Sequence, residues 1–213
     1  MENPIPRRDW RFPLACLALT ALALVASGIG PRDRLTWWLE VAPVLIAAPL
    51  LLWSARRFPL TTLTYAVITL HGLILVLGGH YTYAEVPLGY WLQDVLHFER
   101  NPYDRIGHIA QGFAPAIVAR EILLRTSPLR PGAWLAFLVT CVCGTISLFY
   151  ELIEWWAALL SEEAAESFLG TQGDVWDTQW DMFLCLCGAV AALMLLSRVH
   201  QRQLDALGSQ RET

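Results

Sequence analysis

The chain contains no lysine; all 15 of its basic residues are arginine. That absence reads as a coding bias and not as a phosphate-binding signature. Charge of either sign is scarce, at 16% of residues against 55% hydrophobic, with a mean hydropathy of +0.43. So little charge excludes an ordinary soluble domain of this size. No hydrophilic run is large enough for a separate soluble domain, and there is no internal repeat or low-complexity segment. The five cysteines, Cys16, Cys141, Cys143, Cys185 and Cys187, lie in apolar runs without zinc-finger spacing, which makes them packing residues. Each C-x-C pair puts its side chains about 200° apart on a helix, so chelation by the pair would need helix distortion. The G-x-S-x-G elbow, H-E-x-x-H, the P-loop, the dinucleotide fingerprint and paired Glu-x-x-His motifs are all missing, which removes support for the common catalytic classes.

What is present is a series of apolar segments, most near the roughly 20 residues that cross a bilayer. They fall at about 12–29, 39–53, 60–79, 106–124, 133–160 and 182–197. The prediction is an all-α polytopic membrane protein, a compact bundle of about six transmembrane helices forming one domain over residues 1–213. The second segment is short and holds Pro43 and Pro49, so a kinked or half-inserted helix is expected there. Trp37, Trp38 and Trp53 suit interfacial anchoring at its ends. The fifth is long enough to tilt or to extend beyond the hydrocarbon.

If the crossings alternate, Arg7, Arg8, Arg11, Arg56, Arg57, Arg120, Arg125, Arg130, Arg198, Arg202 and Arg211 share one side. Only Arg32, Arg34, Arg100 and Arg105 lie on the other. The positive-inside rule then predicts that both termini are cytoplasmic. The first segment, with small residues near Ala26, reads as an anchor in preference to a cleaved signal peptide. Most acidic residues sort to the outer side, and among them Glu162, Glu163 and Glu166 read as a solvated loop.

Three outer helix ends carry the candidate chemistry. Asp104, His108 and Gln111 are spaced four and three apart, on one face of the fourth helix. Glu151 and Glu154 lie one turn apart in the outer half of the fifth. Asp174, Asp177 and Asp181 form a stripe leading into the sixth if helix continues outward through them. Singly, each has a structural reading: Asp104 and Asp174 as helix caps, His108 as a packing residue. A carboxylate within an apolar helix costs on the order of 2.5 to 3.5 kcal/mol at the bilayer centre, so Glu151 and Glu154 should face the bundle interior or a water-filled cavity. Together the three groups predict one polar site of Asp104, His108, Glu151, Glu154, Asp177 and Asp181, in catalytic or metal-binding roles. His80, Glu85, Arg105, Gln111 and Asp174 are expected around it. His71, in mid-helix, is expected to make an interhelical hydrogen bond.

Carboxylates with one imidazole are a hard, oxygen-rich donor set, favouring magnesium, manganese or calcium over a thiolate-type zinc site. Such a cation can hold a phosphate or pyrophosphate. The expected partners are the lipid bilayer and a lipid-linked or phosphate-containing substrate, with no nucleic acid. The segment from His80 to Arg100 is too polar to span and forms a candidate lid, Tyr90 and Trp91 fitting the interfacial belt.

HYTYAEVPLG (80–89), NPYDRIGHIAQGFAPAIVARE (101–121), YELIEWW (150–156) and GDVWDTQWDM (173–182) together resemble the YjdF-type bacterial inner-membrane proteins, a domain of unknown function. The resemblance covers most of the chain from the third helix and implies a place in the inner membrane. A more distant likeness is to VanZ-like proteins, linked with glycopeptide-antibiotic resistance, through Asp104, Arg105 and His108, a Glu-rich helix and Asp181 ahead of Gly188. Cys185 in place of Asn and Glu154 in place of Gln depart from that pattern.

Three functions fit these residues. The first is a divalent-metal-dependent envelope enzyme or lipid- or phosphate-binding protein. The second is a small proton- or ion-coupled transporter, against which stands the apparent lack of charge in the inner half of most helices. The third is a structural or partner-binding membrane protein.

Overall fold

The computed structural model describes residues 9–160 and 172–212, so Arg7, Arg8, Glu162, Glu163 and Glu166 lie outside the described residues. Among the described residues seven α-helices follow in order: α1 (Arg11–Ser27), α2 (Arg34–Ser54), α3 (Thr62–Tyr81), α4 (Pro87–Leu96), α5 (Tyr103–Thr126), α6 (Ala133–Leu160) and α7 (Asp177–Glu212). A short 3-10 turn, Tyr83–Glu85, links α3 to α4, and no strand occurs among the described residues.

The helix starts follow local chemistry. Asp33 accepts a hydrogen bond from the Thr36 amide at 2.6 Å and caps α2, while the Thr61 hydroxyl accepts from the Thr64 amide at 3.2 Å and caps α3. Pro87 opens α4, where its missing N–H costs nothing, and His97 ends it in the left-handed conformation at φ 56°.

The six predicted apolar segments overlap α1, α2, α3, α5, α6 and α7, with 12–29 running past Ser27, 60–79 starting before Thr62, and two further boundaries corrected. The second helix is not short: it begins at Arg34 and runs 21 residues through both prolines. The last begins at Asp177 and runs 36 residues, about 54 Å at 1.5 Å per residue, far beyond a bilayer core of roughly 30 Å. In its polar first turns Asp177 and Asp181 face the bundle interior while Thr178 and Gln179 are exposed, and its polar last turns lie beyond the length a bilayer core requires. α2, α3, α6 and α7 are long and apolar enough to cross a membrane; α1 is apolar over 17 residues. α5 is too polar for that description and is instead the central helix, packed on α3, α6 and, most extensively, α7.

Side-chain contacts fix the up-and-down order. At one end, His80 of α3 meets the Ser27 carbonyl of α1, and Gly79 lies against Glu40 of α2. At the other end, Thr61 and Thr64 meet Glu121 of α5 and His200 of α7. Successive long helices therefore alternate in direction, and α1 begins where α7 ends. Large apolar side chains such as Leu22, Trp53 and Met194 are 70% or more exposed, a surface that only lipid or another apolar partner covers favourably. Two buried clusters hold the helices together. One gathers Trp37, Val41, Leu75, Val76 and Tyr103 near the start of α5; the other gathers Ile117, Val139, Cys143, Cys185, Ala189 and Ala192 below it.

Candidate functional site

α5 enters the bundle at Tyr103, and its first two turns carry Asp104, His108 and Gln111 on one buried face. Glu151 and Glu154 reach this face from α6, and Asp177 and Asp181 from α7; all four are buried. Of the other five residues predicted as the site, Asp104, Glu151 and Asp181 approach the His108 imidazole, Glu154 lines the cavity beside it, and Asp177 pairs with Arg100. His108 Nε2 lies 3.4 Å from Asp104 Oδ1 and 3.7 Å from Asp181 Oδ2, and His108 Nδ1 lies 4.0 Å from Glu151 Oε1. Ligand atoms of Asp104, His108 and Asp181 all fall within 4.8 Å of one another.

Gln111 orients the ring. Its Oε1 is 3.2 Å from His108 Nδ1, an acceptor for a proton on that nitrogen, while Nε2 faces the carboxylates of Asp104 and Asp181. Asp104 Oδ2, Asp181 Oδ1 and Glu151 Oε1 are buried without a hydrogen-bond partner. A buried charged group without a partner is costly, so three of them beside one imidazole call for a cation, protons or ordered water. A cavity of about 20 Å³ opens beside His108, bounded by Glu40, Asp104, Gln111, Tyr150 and Glu154. It exceeds the 10–15 Å³ or so that a single water needs.

The rim is tied down by polar contacts. Arg100 pairs with Asp177, and Arg105 Nη2 with Asp174 Oδ2 at 3.1 Å. Between them Asn101 and Gln172 exchange two hydrogen bonds, at 3.2 and 3.1 Å. These contacts join the segment before α5 to the turn before α7 and close the cluster from above. Asp174 stands outside the helical stripe, because α7 starts only at Asp177; its Oδ1 accepts from the Trp176 amide at 2.9 Å.

Two of the surrounding residues predicted from sequence lie elsewhere. His80 Nδ1 bonds the Ser27 carbonyl at 2.8 Å, and Glu85 pairs with Arg32 at 2.6 Å, so both belong to the junction of α1, α2 and α3. A left-handed φ of 62° at Thr82 turns the chain away before Glu85 can reach the cluster. His71 does not make the expected bond at Nε2, which is buried without a partner.

Sequence reading missed Glu40. It is 4% exposed on α2 and accepts a hydrogen bond from the Tyr150 hydroxyl at 2.8 Å, on the wall of the same cavity. An acid inside the apolar run WWLEVAP was the available signal, by the same cost that marks Glu151 and Glu154. Tyr83 was missed as well: its ring slots between Gly78 and Gly107, where an added Cβ would stand 2.3 and 2.5 Å from ring carbons. Burial, reinforced by the nearby Glu40 charge, pushes the Tyr83 phenol well above its usual range, so it stays a hydroxyl.

A second polar centre, at the opposite end of the bundle, overturns the expectation of uncharged inner helix halves. Glu121, wholly buried, accepts from the Thr61 amide and hydroxyl, the Thr64 hydroxyl at 2.6 Å and Arg125 Nη1 at 2.6 Å. His200 Nδ1 faces Arg120 Nη1 at 3.0 Å and must accept, since arginine only donates. Its Nε2 therefore carries the proton and gives it to Glu121 at 3.1 Å. Ile117, Val139, Cys143, Cys185, Ala189 and Ala192 form a dry layer between the two centres.

A family model described as "Predicted membrane protein (DUF2238)" matches residues 12–202. The inner membrane protein YjdF of Escherichia coli (strain K12) is 54% identical over 194 residues, 91% of this chain and 92% of that protein. No solved structure matches.

Proposed function

The chain belongs to the DUF2238 family of predicted membrane proteins, and from that premise we propose that it is a divalent-cation-binding inner-membrane protein acting at the outer face. One observation carries the reading: Asp104, His108 and Asp181 offer donor atoms within 4.8 Å of one another, with buried carboxylate oxygens left over. Around an octahedral ion with bonds near 2.1 Å, neighbouring donors stand about 3 Å apart and opposite ones about 4 Å, so closure requires only a small inward shift. Asp104, Asp181 and His108 Nε2 would hold the ion, with Glu151 next in reach. Oxygen donors in the majority favour magnesium, manganese or calcium.

Such an ion supplies charge for a phosphate or pyrophosphate oxygen, which suits a lipid-linked or phosphate-containing substrate entering from the membrane surface. The exposed face of α4, with Tyr90, Trp91, Val95 and Leu96, supports an interfacial position beside that entrance. Orientation rests on arginine: Arg56, Arg57, Arg120, Arg125, Arg130, Arg198 and Arg202 gather at the end where α1 begins and α7 ends, which the positive-inside rule assigns to the cytoplasm.

Ion-coupled transport is the second reading, favoured by the Glu121 and His200 centre on the same helix pair. The dry layer between the centres weighs against a continuous path. Elemental analysis of detergent-purified protein decides the first reading. Bound divalent metal is expected in the wild type and its loss in Asp181→Ala and His108→Ala variants that remain folded. A metal-free wild type that binds no added magnesium, manganese or calcium sinks it. Metal-free protein that carries pH-dependent flux in liposomes, abolished by Glu154→Gln, supports transport instead.

A further inference from the structure

The inner end of the bundle holds a groove of about 350 Å³ between α6 and α7, within the size range of small-molecule sites. Leu135, Ala136, Val190, Leu193 and Met194 line its length, and Arg120 stands at its polar end with Ser197. The lower part of α6 and the 190–197 stretch of α7 lie in the half of the bundle that ends at Thr61 and His200, so the groove opens in one leaflet's hydrocarbon and closes at headgroup depth. Lipid chains are the solvent there.

The charge of Arg120 gives the groove its selectivity. The residue is 3% exposed, and its described hydrogen-bond partners are neutral: His200 Nδ1 at 3.0 Å and Gln201 Oε1 at 2.8 Å. No described carboxylate comes within ion-pair distance of it. The nearest candidates are engaged elsewhere, Glu121 with Arg125, His200 and the two threonines, and Asp205 with Gln201. Its direct acceptors are neutral and the nearby carboxylates Asp205 and Glu121 offset its charge only from a distance, so the guanidinium retains attraction for an anion. An apolar trough ending at such a cation matches an amphiphile with one acyl chain in the trough and a phosphate at its end.

We propose that the groove between α6 and α7 is a binding site for an anionic phospholipid of the leaflet at the C-terminal end of α7, its phosphate at Arg120. Basic pockets between transmembrane helices at the cytoplasmic surface are a recurrent device for anionic lipid headgroups. The site shares no residue with the His108 cluster. It rests on the membrane-spanning fold and not on cation binding at the other end.

The test is native mass spectrometry of the full chain from detergent micelles doped with phosphatidylglycerol or with phosphatidylcholine. Wild type is expected to retain phosphatidylglycerol at least about ten-fold better, the factor expected of a charge-assisted contact. Ala136→Trp fills the trough while keeping the Arg120 side chain in the sequence, and should lower retention of both lipids. Arg120→Gln should abolish the preference; since this variant can also fail to fold, Arg120→Lys, which keeps the charge, is the paired measurement and should retain most of it. Excess glycerol 3-phosphate should not displace the lipid, because it lacks the acyl chain. Equal retention of the two lipids, unchanged binding by Ala136→Trp, or displacement by glycerol 3-phosphate would overturn the proposal.

Discussion

Gly112 and Gly188 bring α5 and α7 into backbone contact. A Cβ on Gly112 would lie 1.8 Å from the Cys185 carbonyl oxygen, and one on Gly188 would lie 2.1 Å from the Ile109 carbonyl oxygen. His108 is one turn above Gly112, and Asp181 two turns above Gly188, so this contact sets how closely the imidazole and the carboxylate approach. Small residues at a membrane helix interface serve this purpose generally.

Gly112→Ala and Gly188→Ala are therefore expected to destabilise the bundle by about 1–3 kcal/mol each, the range for overpacking, or by more because the clash is with backbone. An unfolding titration in mixed micelles measures this. Gly132→Ala, where an added Cβ meets nothing within 4 Å, is the control and should leave stability unchanged. Equal stability of all three variants would show that the helices are free to separate without cost.

Glu40 and Tyr150 give a second test. The Tyr150 hydroxyl donates to Oε2 of the buried Glu40, so Tyr150→Phe removes that donor and leaves the carboxylate with the Tyr83 hydroxyl alone. The expected cost is about 1–3 kcal/mol, the penalty for stranding a buried polar group. Adding Glu40→Leu to Tyr150→Phe should recover much of the loss, since replacing both partners by apolar groups removes the stranded oxygen. A double variant less stable than Tyr150→Phe would contradict that account.

Much of the outer site was legible because its residues obey helical spacing. Asp104, His108 and Gln111 share a face at any plausible helix boundary, and arginine asymmetry brought them to the same side as Glu151, Glu154, Asp177 and Asp181. Glu40 was hidden because the second segment was started at residue 39, which put this acid at an outer helix end, whereas the helix begins at Arg34 and holds it inside. The Glu121 centre was hidden for another reason. Arg125 is one helical turn from Glu121, but Thr61, Thr64 and His200 come from the start of α3 and from α7, and no local period links them to it. His80 and Glu85 misled because distance along the chain cannot reveal the turn at Thr82.

Two of the outer ion pairs should behave very differently. Arg32 and Glu85 are 67% and 41% exposed at their side chains, whereas Arg100 and Asp177 are 12% and 5% exposed. Arg32→Ala is expected to change stability by less than about 1 kcal/mol, as exposed pairs do. Arg100→Ala strands Asp177 next to the other carboxylates and should cost about 3–5 kcal/mol. It should also increase the stabilisation gained on adding manganese, because the remaining charge is more negative. Thermal scans with and without the metal measure both effects, and an Arg100→Ala variant as stable as Arg32→Ala would remove the rim pair from the account.

Glu121 separates the two ends of the molecule most sharply. It gathers donors from α3, α5 and α7 and the residue before α3, so Glu121→Ala would leave Arg125, His200 and two threonines without their shared acceptor. A loss of about 3–5 kcal/mol is expected, the cost of breaking a buried charged network from one side. His200→Ala removes only one donor and should cost less. The double variant Glu121→Ala/His200→Ala should lose less than the sum of the two, since the partners share one network. Because the dry layer isolates this centre from His108, metal content at the outer cluster should be unchanged in whatever fraction of Glu121→Ala folds. Loss of outer metal in a folded Glu121→Ala protein would mean that the two centres are coupled through α5 and α7, and would turn the choice of function toward transport.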